Sequence, residues 1–169
     1  ICERLGIQDV HHHVDPTMLL SKEEYLQLLE NDRPKNKDKR YLLSYILDDS
    51  EEKRRMIDKI AAEKGMEVIK NGKNAVDAMD TEERYISIED WIARFSMADY
   101  VITDSFHGSV FSILFNIPFV SLGNKERGLS RFNSLLDMFS LKDRLSVQQD
   151  YDSVREVASR PMNFNAANE

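Results

Sequence analysis

Along the chain, short apolar runs alternate with stretches where apolar residues recur every third or fourth position. That alternation predicts strands and helices in turn. The runs at 41–47, 66–69, 100–103 and 119–122 have the length and residue types of buried strands, and a last short strand is expected near 144–147. Ser50 is a candidate cap for a helix whose inner face is Ile57, Ile60 and Ala61, stopped by Gly65. Ser87 with Asp90 opens another, with Ile88, Trp91, Ile92 and Phe95 at helical spacing. A mostly apolar helix is expected over 108–115, a further one from Ser130 with Phe132, Leu135, Leu136 and Phe139 inward, and a final one near 151–160. Ahead of all these, 10–14 reads as a short extended strand ending at Asp15-Pro16, because proline disfavours a helical predecessor. Ser21 and Glu24 then form a capping box for a helix carrying Tyr25, Leu28 and Leu29. The polar, aperiodic stretches 33–40 and 71–84 read as loops.

Strands alternating with helices at this spacing predict an α/β fold, a parallel sheet with helices on both faces. The 169 residues suit one domain, with 1–32 as an entry segment and 41–160 as the core. Ligands of such sheets bind at the carboxyl ends of strands, here the loops after Leu47, Thr103 and Leu122. A net charge of -7 argues against nucleic acid as a partner, and no apolar run approaches the ~18 residues of a membrane span. The single cysteine, Cys2, excludes a disulfide framework and fits a cytoplasmic setting. Ile1 as first residue, with a helix-tail pattern over 2–6, reads as a piece of a longer chain.

The stretch DYVITDSFHGS, 99–109, joins a strand to a helix through polar and special residues. A helix start offers unpaired N–H groups to an anion. Gly108 allows close backbone approach, Ser105 and Ser109 add hydroxyls, and Asp104 follows the strand that ends at Thr103. His107 is the one nearby group able to move a proton near neutral pH. A plain helix cap at Asp104 or Ser105 beside a semi-buried histidine explains the same residues.

The next strand-to-helix loop, SLGNKERGLSR at 121–131, brings Lys125 and Arg127 between two glycines, then Ser130 and Arg131 at a helix start. Arginine grips carboxylates and phosphates through two parallel hydrogen bonds, so Arg131 suits a small dianion. Across 104–135, Lys125, Arg127 and Arg131 outnumber Asp104 and Glu126, a basic stretch in an acidic chain. The His11-His12-His13 run has no cysteine or carboxylate at ligand spacing, and strand alternation would turn His12 away from its neighbours. Asp48, Asp49 and Asp104 resemble an acidic magnesium pocket but lack the lysine-proline pair that pocket requires. We therefore expect neither a metal nor a cofactor.

Taken in order, a helix, then ADYVITDSFHG, an apolar helix, NIPF and SRF resemble the signature region of the polysaccharide pyruvyl transferases. The segment VDPTMLL at 14–20 is similar to that family's Asp-Pro-Thr segment between two halves. The resemblance implies the Rossmann-like C-terminal half of a two-domain fold of the GT-B glycosyltransferase type. It also implies transfer of a pyruvyl group from phosphoenolpyruvate to two hydroxyls of a sugar or polysaccharide-precursor acceptor, forming a ketal. His107 and Gly108 match the motif histidine and glycine. Ser105 stands where better-characterised members carry an arginine, and Arg131 is the nearest substitute. On this reading the acceptor surface belongs to an absent N-terminal domain, and the piece alone does not turn over. Two other functions share the pattern: the sugar-nucleotide-binding half of a glycosyltransferase, with Glu126 as the ribose-binding acid, and a non-enzymatic domain that binds a small anion.

Overall fold

A computed structural model describes residues 3–11, 13–29, 39–71, 86–124 and 128–164 of the chain. After two short 3-10 turns, Glu3–Leu5 and Pro16–Leu19, comes helix α1 (Lys22–Gln27). There follow β1 (Tyr41–Tyr45), α2 (Glu51–Glu63), β2 (Glu67–Asn71), α3 (Ile88–Met97), β3 (Tyr100–Thr103) and α4 (Phe106–Leu114). The chain continues through β4 (Phe119–Leu122), α5 (Ser130–Met138), β5 (Leu145–Ser146) and α6 (Tyr151–Ser159). The strands form one all-parallel sheet in the order β2-β1-β3-β4-β5, a Rossmann-like α/β fold. From β1 the chain moves outward to β2, then returns past β1 to lay down β3, β4 and β5. In sheets of this kind such a reversal is where ligands bind, which directs attention to the carboxyl ends of β1 and β3.

Successive strand residues face opposite sides, and the core divides accordingly. Leu43, Val101 and Phe119 pack with Phe95, Phe111 and Leu136 from α3, α4 and α5. Leu42, Ile102 and Val120 pack with Ile57, Ile60 and Val157 from α2 and α6. Local signals set the helix starts. Ser21 makes both halves of a capping box with Glu24, while Ser50 and Ser87 accept from the amides of Lys53 and Asp90. Gly65, at φ 62°, takes the left-handed conformation that ends α2.

Several expectations change, and Leu28, read as part of the inner face of α1, is 53% exposed. Residues 10, 11, 13 and 14 form no strand: no ladder partner lies beside them and Val10 is exposed, whereas extended backbone becomes a strand only with a neighbour. His12 lies outside the described residues. β1 stops at Tyr45, whose carbonyl accepts from the Thr103 hydroxyl, while the Leu47 amide turns to Asp104. α4 starts at Phe106, two residues before the expected 108, because its cap is Ser105. Ile88 is 70% exposed, since its helical stripe runs past the layer on which Ile92 and Phe95 pack. The polar loops expected at 33–40 and 71–84 lie almost wholly outside the described residues.

Candidate functional site

The β3–α4 junction is built by short side chains that satisfy one another. The Thr103 hydroxyl donates to the Tyr45 carbonyl at 2.7 Å and accepts from the Ser105 amide at 3.0 Å. Ser105 Oγ caps α4 by accepting from the Gly108 amide, and the Ser109 amide bonds to the Ser105 carbonyl. The amides at 108 and 109 are therefore already engaged. Those of Phe106 and His107 remain without an acceptor among the described residues. Gly108 does approach closely, but to protein. A Cβ there would lie 2.2 Å from Thr103 Oγ1. Ser109 is wholly buried, and its hydroxyl shares a hydrogen bond of 2.7 Å with Ser121. Its hydroxyl is thus turned toward β4.

Asp104 also differs from the expectation. Its side chain is 3% exposed and accepts from the amides of Leu47 and Asp48 and from Lys53 Nζ at 3.2 Å. Asp48 in turn accepts from the Asn124 side chain at 3.4 Å. The loops after β1 and β3 are thus tied together by the Asp104 carboxylate, and those after β1 and β4 by Asp48. Lys53, on the first turn of α2, is the partner that sequence reasoning did not single out. Its position after β1 was the available signal. Among the described residues no group of three or more His, Cys, Asp or Glu is placed to hold a metal ion.

His107 lies on the first turn of α4 with its side chain half exposed. It begins a stripe at four-residue spacing, His107, Phe111 and Phe115, that faces the entry segment. Phe115 meets Lys22, whose ammonium lies 5.6 Å from the ring centre and reaches the Phe115 carbonyl. Tyr25 packs edge-on against Phe111 at 4.9 Å, and its hydroxyl donates to the Thr17 carbonyl. At the open end, Asp15 Oδ2 comes within 3.8 Å of His107 Nε2. The other Asp15 oxygen caps the Pro16–Leu19 turn, accepting from the Thr17 amide and hydroxyl.

Arg131 completes the cluster from the first turn of α5. It is exposed, and its guanidinium stands 4.0 Å from the centre of the Phe106 ring, a cation over an aromatic face. Phe106 in turn meets Phe132 and the His107 ring. Burial favours the neutral form of Asp15, but its Thr17 hydrogen bonds and the charges of His107 and Arg131 outweigh that effect. The carboxyl is held below its ordinary range. Ser130 is the exposed first residue of α5, and its predecessor Leu129 makes no side-chain cap. Lys125 and Arg127 lie outside the described residues.

The expected residues therefore divide. His107 and Arg131 come together on adjacent helix starts at the carboxyl edge of the sheet. Asp104, Ser105, Gly108 and Ser109 build the floor beneath them. Asp15 joins from ninety residues or so away in sequence, where the only signal was its Asp-Pro-Thr setting.

This fold and cluster define a Rossmann-like α/β domain with a histidine and an arginine on neighbouring helix starts at the carboxyl edge of its sheet. The family model for polysaccharide pyruvyl transferase matches residues 2–126, a span that includes Asp15 and His107, and the chain belongs to that family. No curated protein and no solved structure matches it.

Proposed function

We propose that this chain is the donor-binding half of a polysaccharide pyruvyl transferase and holds phosphoenolpyruvate between the starts of α4 and α5. The observation that supports this is the placing of His107 and Arg131 on either side of the Phe106 ring, beside two amides of α4 that have no acceptor among the described residues. Phosphoenolpyruvate carries a phosphate and a carboxylate. A guanidinium and a helix start are suited to such groups, and fixed positive ends lower the cost of charge that shifts during reaction.

The chemistry needs one proton donor. Protonation of the methylene carbon turns it into a methyl and leaves the adjacent carbon electron-poor. One sugar hydroxyl adds there and loses its proton. The phosphate then departs with its C–O electron pair, and a second hydroxyl closes the ketal. The acceptor thus gives up two protons. One replaces the proton delivered to the methyl, and the other leaves with inorganic phosphate. In this reading His107 delivers the first proton and Arg131 grips the donor's charged groups. On their place in the sequence between β4 and α5, Lys125, Arg127 and Ser130 are assigned secondary contacts with the donor in this reading. The acceptor surface is contributed by a second domain, as the family resemblance implies, and the chain works in the cytoplasm, where phosphoenolpyruvate is made.

Calorimetric titration of phosphoenolpyruvate into the chain tests the donor site. Arg131→Ala should weaken binding by about 1.5–3 kcal/mol, the scale of a hydrogen bond to a charged group. In an enzyme that includes the acceptor domain, His107→Asn should slow phosphate release about 10²–10⁴-fold with little change in melting temperature. Equal affinity of wild type and Arg131→Ala, or an active His107→Asn variant, would remove that residue from the site.

A further inference from the structure

A helix start disfavours an imidazolium on its first turn, because the partial positive charge there repels it. His107 has that position, yet a proton donor must carry its proton when substrate arrives. The structure supplies a group that meets this difficulty. Asp15 Oδ2 lies 3.8 Å from His107 Nε2, close enough for an ion pair once the ring is charged. Asp15 is not a loose surface carboxylate. Its side chain is 14% exposed, and Oδ1 is fixed by the Thr17 amide at 3.1 Å and the Thr17 hydroxyl at 2.7 Å. The turn that carries it is held against α4 by Tyr25, which packs on Phe111 and bonds to the Thr17 carbonyl.

We infer that Asp15 is a positioning residue for His107: a pre-set carboxylate that orients the imidazole and stabilises its protonated form, leaving the ring nitrogen remote from it free for the donor. This inference rests on the reading of His107 as proton donor. Among the described residues, three elements bring charge to the ring. The entry turn presents Asp15, α5 presents Arg131 over the neighbouring Phe106, and α4 presents its own amino end. Tyr25 on α1 faces Asp15. Arg131 and the helix start both oppose a second positive charge, so Asp15 is the group that favours it. Its carboxyl is held below the ordinary range and stays ionised throughout the interval in which histidine titrates.

The arrangement also links segments distant in sequence. Asp15 belongs to the Asp-Pro-Thr turn and His107 to the helix after β3, so a proton donor is assembled only when the entry segment docks on α4. A proton-loading carboxylate fixed by its own turn acts at no cost in reorganisation when substrate binds.

The test is a proton titration followed by NMR on the whole chain labelled in its histidine rings. There are 4 histidines, and His107→Gln assigns the one in question. Asp15→Asn keeps the cap but removes the charge, and Asp15→Ser does the same should Asn perturb the turn. In both variants the His107 resonance should titrate at lower pH than in wild type. Asp15→Glu, which restores the charge on a longer arm, should recover part of the shift. A His107 titration unchanged in a folded Asp15→Asn or Asp15→Ser protein would overturn the inference. Because the readout is the ring itself, its failure is distinct from a failure to bind phosphoenolpyruvate, which would count against the proposed function and leave the Asp15–His107 pairing standing.

Discussion

Gly108 illustrates how a correct local reading can carry the wrong reason. A glycine beside a candidate catalytic histidine at a helix start suggests room for a ligand, and the sequence offers nothing against that. In the structure the space is taken by Thr103, whose side chain lies under the first turn of α4. The small residue lets helix and strand approach, as do Ser109 and Ser112, whose hydroxyls turn back to carbonyls one turn earlier. Gly108→Ala would place its Cβ 2.2 Å from Thr103 Oγ1, so helix or strand must shift. We expect a loss of about 1–3 kcal/mol in urea unfolding, the usual scale of overpacking. The double variant with Thr103→Ala should lose less than the sum of the two single changes, because the second removes the atoms the first strikes. Strict additivity would show that the contact is not the cause.

At the scale of elements, the loops that end β1, β3 and β4 matter as a set. Each alone reads as a polar connection. Asp104 binds the first two by accepting from both amides after β1 and from Lys53, whose own side chain is 12% exposed. Removing one partner of a buried ion pair leaves the other charge uncompensated, which typically costs about 3–5 kcal/mol. Asp104→Ala should fall at the lower end of that range, since Lys53 also reaches the Asp48 carbonyl at 2.7 Å. Amide exchange at Leu47 and Asp48 should speed up more than at the α6 amides, and adding Lys53→Met should recover part of the stability. The helices themselves were largely legible beforehand. Caps at Ser21, Ser50 and Ser87 and the stop at Gly65 are decided within one turn by the residues that make them. Ile88 was not, because a helical stripe does not reveal where the partner layer ends.

For the molecule as a whole, acid stability should follow the capping carboxylates. Glu24 is held below its ordinary range by the Ser21 amide and then the Ser21 hydroxyl. Asp150 is held down by the Ser153 amide and then its hydroxyl. A carboxyl whose value is depressed on folding stabilises the fold above its unfolded value, and that contribution disappears as pH falls through the folded one. Melting temperature should therefore hold steady from neutral pH to about 5 and decline below about 4.5, where unfolded carboxylates begin to take up protons. Replacing Glu24 and Asp150 by Gln and Asn should flatten that decline. An equally steep decline in the double variant would assign acid sensitivity to other groups.

By itself the sequence determined the alternation of strands and helices, the caps, the two-sided burial of the sheet and the polar segments after β3 and β4 where a site could form. These are local properties: a period of two or near 3.6, a side chain bonding an amide three residues on, a glycine able to turn left-handed. The tertiary structure alone decided which polar residues serve a site and which serve the fold. Asp104 and Ser109 turned inward because sheet packing offered them amides and hydroxyls to satisfy. Asp15 met His107 because Tyr25 and the Pro16–Leu19 turn dock on one stripe of α4. A contact across so long a stretch of chain depends on how elements pack, and no local pattern of residues encodes it.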